Sequence, residues 1–220
     1  MMLLRIISIY KKSDFMVDMS SLRNPTWEIC EGVKTAIHSL LKRGSTILEF
    51  GSGYGSMDLS THYKLYSIEH DKKWLDLDIK TNYIHAPEVE IETLPGHSHE
   101  SWYCQNSILA NIPKNYDLIL VDGPNSKIGR SGLLNMLDQL NPDVPWIIDD
   151  TIRNVESILS SDIAISMGMK EVRFWNFSIL SKTPIKANHV RRIAISSDRV
   201  LLKKRTHIAK ENSPFFNSRC

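Results

Sequence analysis

The chain has 220 residues, of which 42% are hydrophobic and 24% charged, and these fractions are ordinary for one folded domain. Its net charge of +2 does not indicate a nucleic-acid partner, and no segment approaches the roughly 20 apolar residues that span a bilayer. The scattered residues Cys30, Cys104 and Cys220 favour free thiols over a disulfide framework. We therefore expect a cytoplasmic protein without a membrane partner, and the oligomeric state stays open.

Two terminal segments differ from the rest of the chain. Residues 1–26 are a mixed stretch that we interpret as an N-terminal arm or lid over a pocket, and residues 198–220 form a basic tail. A basic tail indicates either a solvated chain end or a weak patch for phosphates or anionic glycans. The domain itself is predicted to span residues 27–197.

Within that domain, helical and strand patterns alternate. Residues 26–41 space their apolar side chains three to four apart, as an amphipathic helix does, between Pro25 and Gly44. Residues 129–140 predict a second helix. Five apolar runs of strand length are predicted at 46–50, 64–68, 82–85, 116–121 and 146–148. These runs do not alternate with polar residues, which is typical of parallel strands buried on both faces.

Two later segments, 170–177 and 189–197, do alternate apolar and polar residues. This pattern predicts an antiparallel pair at the edge of the sheet. Strands that alternate with helices indicate an α/β fold, with a doubly wound and mostly parallel sheet.

A glycine-rich turn, "ILEFGSGYGS", follows the first strand. In open α/β sheets ligands bind beyond the carboxyl ends of the strands, and glycines there let the main chain approach a ligand closely. A dinucleotide site would have Gly or Ala at the third position, where this chain has Ser56. The carboxylate of Glu49 would also repel a pyrophosphate. The turn therefore favours a ligand that carries an ammonium or sulfonium group.

The spacing of Glu49, Gly51, Gly53 and Gly55 resembles the first motif of class I S-adenosylmethionine-dependent methyltransferases. Glu69, in "KLYSIEHD", matches the acidic residue that ends the second strand in that family. The resemblance implies a Rossmann-like, seven-stranded methyltransferase fold, and it implies that the turn holds the methionine part of the cofactor while Glu69 holds both ribose hydroxyls. The cofactor-binding residues that follow from it are Glu49, Gly51, Ser52, Gly53, Gly55, Glu69, His70, His85 and Asp122. His85 is a candidate for adenine contact, and a histidine with a structural partner is the alternative.

Three aspartates end the fourth and fifth predicted strands, namely Asp122, Asp149 and Asp150. Carboxylates that share one rim of a sheet raise each other's pKa, and a divalent cation removes that cost. The pattern resembles cation-dependent O-methyltransferases related to catechol O-methyltransferase, although Asp150 stands where those enzymes have Asn. The resemblance implies Mg²⁺ or another divalent cation on all three aspartates, with Asp122 and Asp149 catalytic. In the alternative interpretation, Asp122 lies beside the substrate and Asp149 or Asp150 caps the next helix.

The segment "VDGPNSKIGR" resembles a subgroup that includes glucuronoxylan O-methyltransferases. It implies O-methylation of a hydroxyl on a small molecule or glycan, with Arg130 either on a substrate anion or at the surface. Lys127, His97 and His99 are candidates for the base, and the pattern does not choose among them.

Two alternative functions stay open. One is an N-methyltransferase acting on protein or nucleic acid, although no aromatic residue follows "DGP" to stack a flipped base. The other is a cofactor-binding module of the same fold without turnover.

Overall fold

The computed structural model describes residues 28–197. The predicted N-terminal arm and the basic tail lie outside these residues. The first two residues of the first predicted helix, 26 and 27, lie outside them as well. Within the described part, no helix is long and apolar enough to cross a membrane.

Nine strands and five helices make up the described domain. The strands are β1 Thr46–Phe50, β2 Lys64–Glu69, β3 Asn82–His85, β4 Glu88–Glu90, β5 Ser101–Tyr103, β6 Leu118–Val121, β7 Trp146–Asp149, β8 Lys170–Arg173 and β9 Phe177–Ser181. The helices are α1 Glu31–Leu40, α2 Tyr54–Leu59, α3 Gln105–Leu109, α4 Asn154–Ser166 and α5 at 187–197, with 3₁₀ segments at Lys72–Trp74 and Ser131–Gln139.

Seven strands form one sheet in the order β3-β2-β1-β6-β7-β9-β8. The five strands from β3 to β7 in this order are parallel, whereas β9 runs antiparallel to β7 and β8 antiparallel to β9. The short strands β4 and β5 form a separate antiparallel pair. This arrangement is the predicted Rossmann-like methyltransferase fold. Because the connections from β1 and from β6 lead to opposite sides, a crevice opens between the carboxyl ends of these two strands.

The central strands are mostly apolar and buried because both faces of the sheet are covered. Along β1, Leu48 and Phe50 pack into one buried cluster, whereas Ile47 packs into a second cluster on the opposite face. The first cluster also contains Trp102, which is buried in the core. The second contains Val33 of α1. The alternation along each strand therefore directs side chains into two cores rather than into a core and solvent.

Several predicted elements differ from the structure, including the strand predicted at 116–121, which begins at Leu118. The first helix begins at Glu31, and the helix predicted at 129–140 is a 3₁₀ segment over Ser131–Gln139. The predicted strand at 189–197 is helical, and its buried residues Ile193 and Ser197 are four positions apart, one turn of a helix. The antiparallel edge nevertheless exists, because β8 pairs with β9, which is buried at all five positions.

Candidate functional site

A cavity of about 910 Å³ lies at the carboxyl ends of the parallel strands and includes the crevice between β1 and β6. Its volume is within the range of pockets that hold small-molecule ligands. The predicted site residues that line it are Gly51, Ser52, Gly53, Glu69, His70, Asp122, Asp149 and Asp150. The remaining three, Glu49, Gly55 and His85, are not among the described residues that line the cavity.

The glycines of the turn are required in part by the protein's own packing. Gly51 has a φ of +92°, and a Cβ on it would lie 2.5 Å from the Cα of Gly123, in the loop after β6. A Cβ on Gly55 would lie 3.0 Å from the side chain of Ile29. The steric requirement for Gly51 therefore comes from another loop of this chain, and the close approach of this turn to a ligand stays a prediction.

Glu49 supports the turn from inside the sheet. It is 1% exposed, and its Oε2 accepts hydrogen bonds from Ser56 Oγ at 2.7 Å and from Ser67 Oγ at 2.5 Å. Ser56 Oγ in turn accepts from the main-chain N–H of Gly53 at 3.0 Å. Burial raises the pKa of Glu49 to about 7, although the two hydroxyls lower it. This arrangement makes Glu49 a positioning residue for the turn.

Glu69, at the end of β2, holds the start of the neighbouring loops. Its Oε1 accepts from the main-chain N–H groups of His70 at 2.7 Å and Asp71 at 2.8 Å, and its Oε2 accepts from Ser52 N at 3.1 Å. The carboxylate is 4% exposed and lines the cavity. A carboxylate offers about four acceptor positions, so Oε2 keeps capacity for a further donor from a ligand.

Arg130 lines the cavity and joins the ends of β6 and β7. Its Nη1 donates to the carbonyl oxygen of Asp149 at 2.8 Å, and its Nη2 donates to the carbonyl oxygen of Asp122 at 2.7 Å and to Asp150 Oδ2 at 2.9 Å. Its Nε donates to Pro124 O at 3.4 Å. The residue is 3% exposed, so the surface interpretation is wrong. Because all three nitrogens already donate within the protein, Arg130 has little capacity left for a substrate anion.

The three aspartates predicted as metal ligands face other partners. Asp149 Oδ1 accepts from the N–H of Asp150 at 2.8 Å and from Asn176 Nδ2 at 3.2 Å, and Asp122 Oδ1 lies 3.5 Å from Arg130 Nη2. Within residues 28–197 no group of three or more His, Cys, Asp or Glu side chains is arranged to hold a metal ion. These residues do not support the predicted divalent-cation site, because the Arg130 guanidinium already supplies a positive charge between the two strands.

Burial controls the protonation of two of these aspartates. It raises the pKa of Asp122 to about 7, against the opposing effect of Arg130. It also raises the pKa of Asp149 well above its usual range, and the nearby charges of Asp122 and Asp150 add to this shift. Neither Asp149 nor Asp150 caps the next helix, since the N-cap of α4 is Arg153. Asp122 and Asp149 therefore hold protons more strongly than ordinary carboxylates do.

The residues considered as bases do not gather at the cavity. His97 is buried, and its Nε2 lies 3.0 Å from Asp162 Oδ2 beside a separate small depression. His99 packs against Gly129, and Lys127 is not among the described lining residues. His85, the candidate for adenine contact, is exposed, and its Nε2 lies 3.2 Å from the carbonyl oxygen of His70.

Several lining residues are not predicted by the sequence, and four of them bear on what the cavity could bind. Trp74, five positions after Glu69, lines the cavity, and its carbonyl oxygen accepts from Ser52 Oγ at 2.5 Å. At the opposite end lie Ile152, Arg153 and Trp175. An aromatic residue shortly after a strand-end acid was an available signal for Trp74, whereas Trp175 reaches the site only through the antiparallel pairing of β9 with β7.

The solved structures that are similar to this chain include two methyltransferases. One is a methyltransferase from Pyrococcus furiosus, with a TM-score of 0.45 and 17% identity over 74% of this chain and 88% of that chain. The other is a dimethyladenosine transferase from Plasmodium falciparum, with a TM-score of 0.40 and 12% identity over 70% of this chain and 61% of that chain, which is less than two thirds of its length. At these scores neither likeness bears on the reaction. No family model and no curated protein matches the chain.

Proposed function

We propose that this chain is an S-adenosylmethionine-dependent methyltransferase that acts on a hydroxyl group of a small molecule or glycan. One observation carries the proposal: the glycine turn after β1, the strand-end Glu69 and the strand-end Asp122 line one cavity at the point where the strand order reverses.

The cofactor fits the residues that are present. Glu69 Oε2 keeps an acceptor position for a ribose hydroxyl, and the main chain at Ser52 and Gly53 lines the cavity beside it. Trp74 offers an aromatic surface on the same side, suited to a flat base. A ligand with a net positive charge also suits the partly protonated aspartates, because it favours their ionised form.

The bound cofactor supplies a methyl group on a sulfonium, which is electrophilic without further activation. The chain then has to align the acceptor, exclude water and take up one proton. Glu69, Ser52 and Gly53 would hold the cofactor, which would give up its methyl group to the acceptor oxygen and leave as the neutral thioether, while Asp122 would take up the hydroxyl proton. A carboxylate whose pKa is about 7 is a stronger base than an ordinary aspartate, which supports this role. Asp149 lies beside it and extends the acidic surface.

Calorimetric titration tests the proposal directly. We expect wild-type protein to bind S-adenosylmethionine and S-adenosylhomocysteine but not NAD. Glu69→Ala should weaken binding roughly tenfold to hundredfold, because a charged hydrogen-bond acceptor is lost. Glu88→Ala is the matched control, since Glu88 is an exposed strand carboxylate outside the described lining, and its affinity should equal that of the wild type.

Because Glu69 also anchors loop amides, the melting temperature of each variant must be measured alongside. If a folded Glu69→Ala protein binds S-adenosylmethionine as the wild type does, or if wild-type protein binds only NAD, the assignment is wrong.

A further inference from the structure

Two apolar side chains are exposed inside the cavity, away from the glycine turn. Trp175, between β8 and β9, is 52% exposed, and Ile152, just after β7, is 51% exposed. In the sheet order, β7 and β9 lie on the far side of β6 from β1 and β2. An apolar surface therefore adjoins the end of the cavity that the proposed cofactor contacts do not use.

The described residues around this surface include more carboxylates than cations, and their sum is negative even though Asp122 and Asp149 hold protons more strongly than ordinary carboxylates. The carboxylate residues that line the cavity are Glu28, Glu31, Glu69, Asp71, Asp122, Asp149 and Asp150. Among the described lining residues the Lys and Arg side chains are two, Arg130 and Arg153.

Both arginines already have carboxylate partners. Asp150 Oδ2 forms ion pairs with Arg130 and with Arg153, and Arg153 Nη1 also lies 3.2 Å from Glu156 Oε1. An anionic acceptor entering the described part of this cavity would meet carboxylates, and the arginines would have to leave Asp150 or Glu156 to bind it. Charges of the same sign at such short range repel each other, and little water lies between them to screen the repulsion.

We infer that this end of the cavity binds an uncharged ring compound that bears hydroxyl groups, such as a neutral glycoside, stacked on Trp175. The inference rests on the proposed methyl transfer and narrows its acceptor. It argues against uronic acids, sugar phosphates and polynucleotides, each of which needs free cations around it.

The two halves of such a ligand match the two kinds of lining. One face of a sugar ring consists of C–H groups, which pack on the face of an aromatic side chain and on Ile152. The hydroxyls at the ring edge are donors, and carboxylates such as Asp122 and Asp149 are acceptors for them. A hydroxyl placed against Asp122 is also the one that this residue can deprotonate.

The experiment uses methyl-labelled S-adenosylmethionine and the full chain with matched acceptors. Each set of three glycosides shares one ring, and its members carry a neutral hydroxymethyl group, a carboxylate or a phosphate at the same carbon. A single-stranded oligonucleotide serves as the polyanion. We expect transfer to the neutral member with kcat/KM at least about tenfold above its anionic partners. Equal or preferred transfer to an anionic member overturns the inference, and so does an absence of transfer to every neutral member.

Three variants test whether the preference for a neutral acceptor depends on Trp175. Trp175→Ala should raise the acceptor KM roughly tenfold with kcat and S-adenosylmethionine affinity unchanged, and Trp175→Phe should recover most of that loss. Ile79→Ala, at a 94% exposed apolar residue outside the described lining, should change neither constant.

An unchanged acceptor KM in Trp175→Ala overturns the inference. A wild-type protein that fails to bind S-adenosylmethionine in the calorimetric titration overturns the proposed function instead, so the two failures are distinguishable.

Discussion

The main chain of Gly51 packs directly against that of Gly123, so that a Cβ on Gly51 would lie 2.5 Å from Gly123 Cα and 2.6 Å from Gly123 N. This contact joins the loops after β1 and β6, the two strands that border the cavity. Both of these atoms are main-chain atoms of Gly123, which cannot rotate away as a side chain does. A side chain at position 51 therefore has to displace one of the loops.

Gly51→Ala should therefore destabilise the protein by about 2–5 kcal/mol, the sum of a positive-φ cost and an overpacking cost. Gly44→Ala is the matched control, because Gly44 has a φ of +84° and no atom within 4 Å of its Cβ position. It should cost only about 1–2 kcal/mol. Urea unfolding gives both free energies, and equal losses would show that the contact with Gly123 is not tight.

Glu49 should make stability depend on pH. Its folded-state pKa of about 7 lies above its ordinary value of 4.5. The folded protein therefore binds this proton more strongly than the unfolded chain, so the contribution is full below about pH 4.5 and is lost as the pH rises to about 7. The free energy of unfolding should fall by about 3 kcal/mol over this window through Glu49 alone.

Glu49→Gln removes the titration while keeping an oxygen that can accept from Ser56 and Ser67. The measurement is urea unfolding of both proteins at several pH values between 5 and 8, and the quantity of interest is their difference. Other titrating groups contribute equally to both proteins and cancel. Parallel pH profiles would contradict a raised pKa for Glu49.

Much of the fold could be predicted because its signals are local. The five parallel strands are buried on both faces, so each is a short apolar run, and four of the five predicted runs match the observed strands to within one residue. The glycine turn and Glu69 follow directly from the ends of β1 and β2. The segment at 189–197 was assigned wrongly because short segments fit both a two-residue period and a helical one.

The role of Arg130 could not be predicted, because it depends on contacts between distant parts of the chain. The carbonyls and carboxylate that surround its guanidinium come from the ends of β6 and β7, and nothing near Arg130 in the sequence indicates that it is buried. For the same reason, the three aspartates Asp122, Asp149 and Asp150 were interpreted from the sequence as a metal site. The cation that balances them is a side chain, and sequence alone did not place that side chain there.

Arg130→Met should cost about 3–5 kcal/mol of stability, because it leaves the carbonyl oxygens of Asp122 and Asp149 without this donor and removes one of the two arginines that pair with Asp150. Arg173→Met is the matched control. Arg173 is 49% exposed and bonds to Ser157, Ser161 and Glu171 at the surface, so its loss should cost at most about 1 kcal/mol. Urea unfolding near neutral pH separates the two, and a small loss in Arg130→Met would mean that the aspartates do not depend on this cation.

Removal of divalent cations should leave S-adenosylmethionine binding and methyl transfer unchanged. Arg130 already balances Asp122 and Asp150, and Asp149 Oδ1 already accepts two N–H groups. The measurement compares protein treated with EDTA and protein supplied with Mg²⁺ or Mn²⁺. Activity that disappears with EDTA and returns with one of these ions would restore the metal interpretation.

Cofactor affinity should rise with pH through Asp122. Its pKa in the free protein is about 7, and a ligand with a net positive charge favours the ionised carboxylate, so binding displaces a proton below that pH. The affinity should increase by up to about tenfold per pH unit between pH 5 and 7 and level off above pH 7. Calorimetric titrations in buffers of different ionisation enthalpy count the released proton. In Asp122→Asn both the pH slope and the proton release should disappear, and a slope that survives this substitution would assign the titration to another group, such as Asp149.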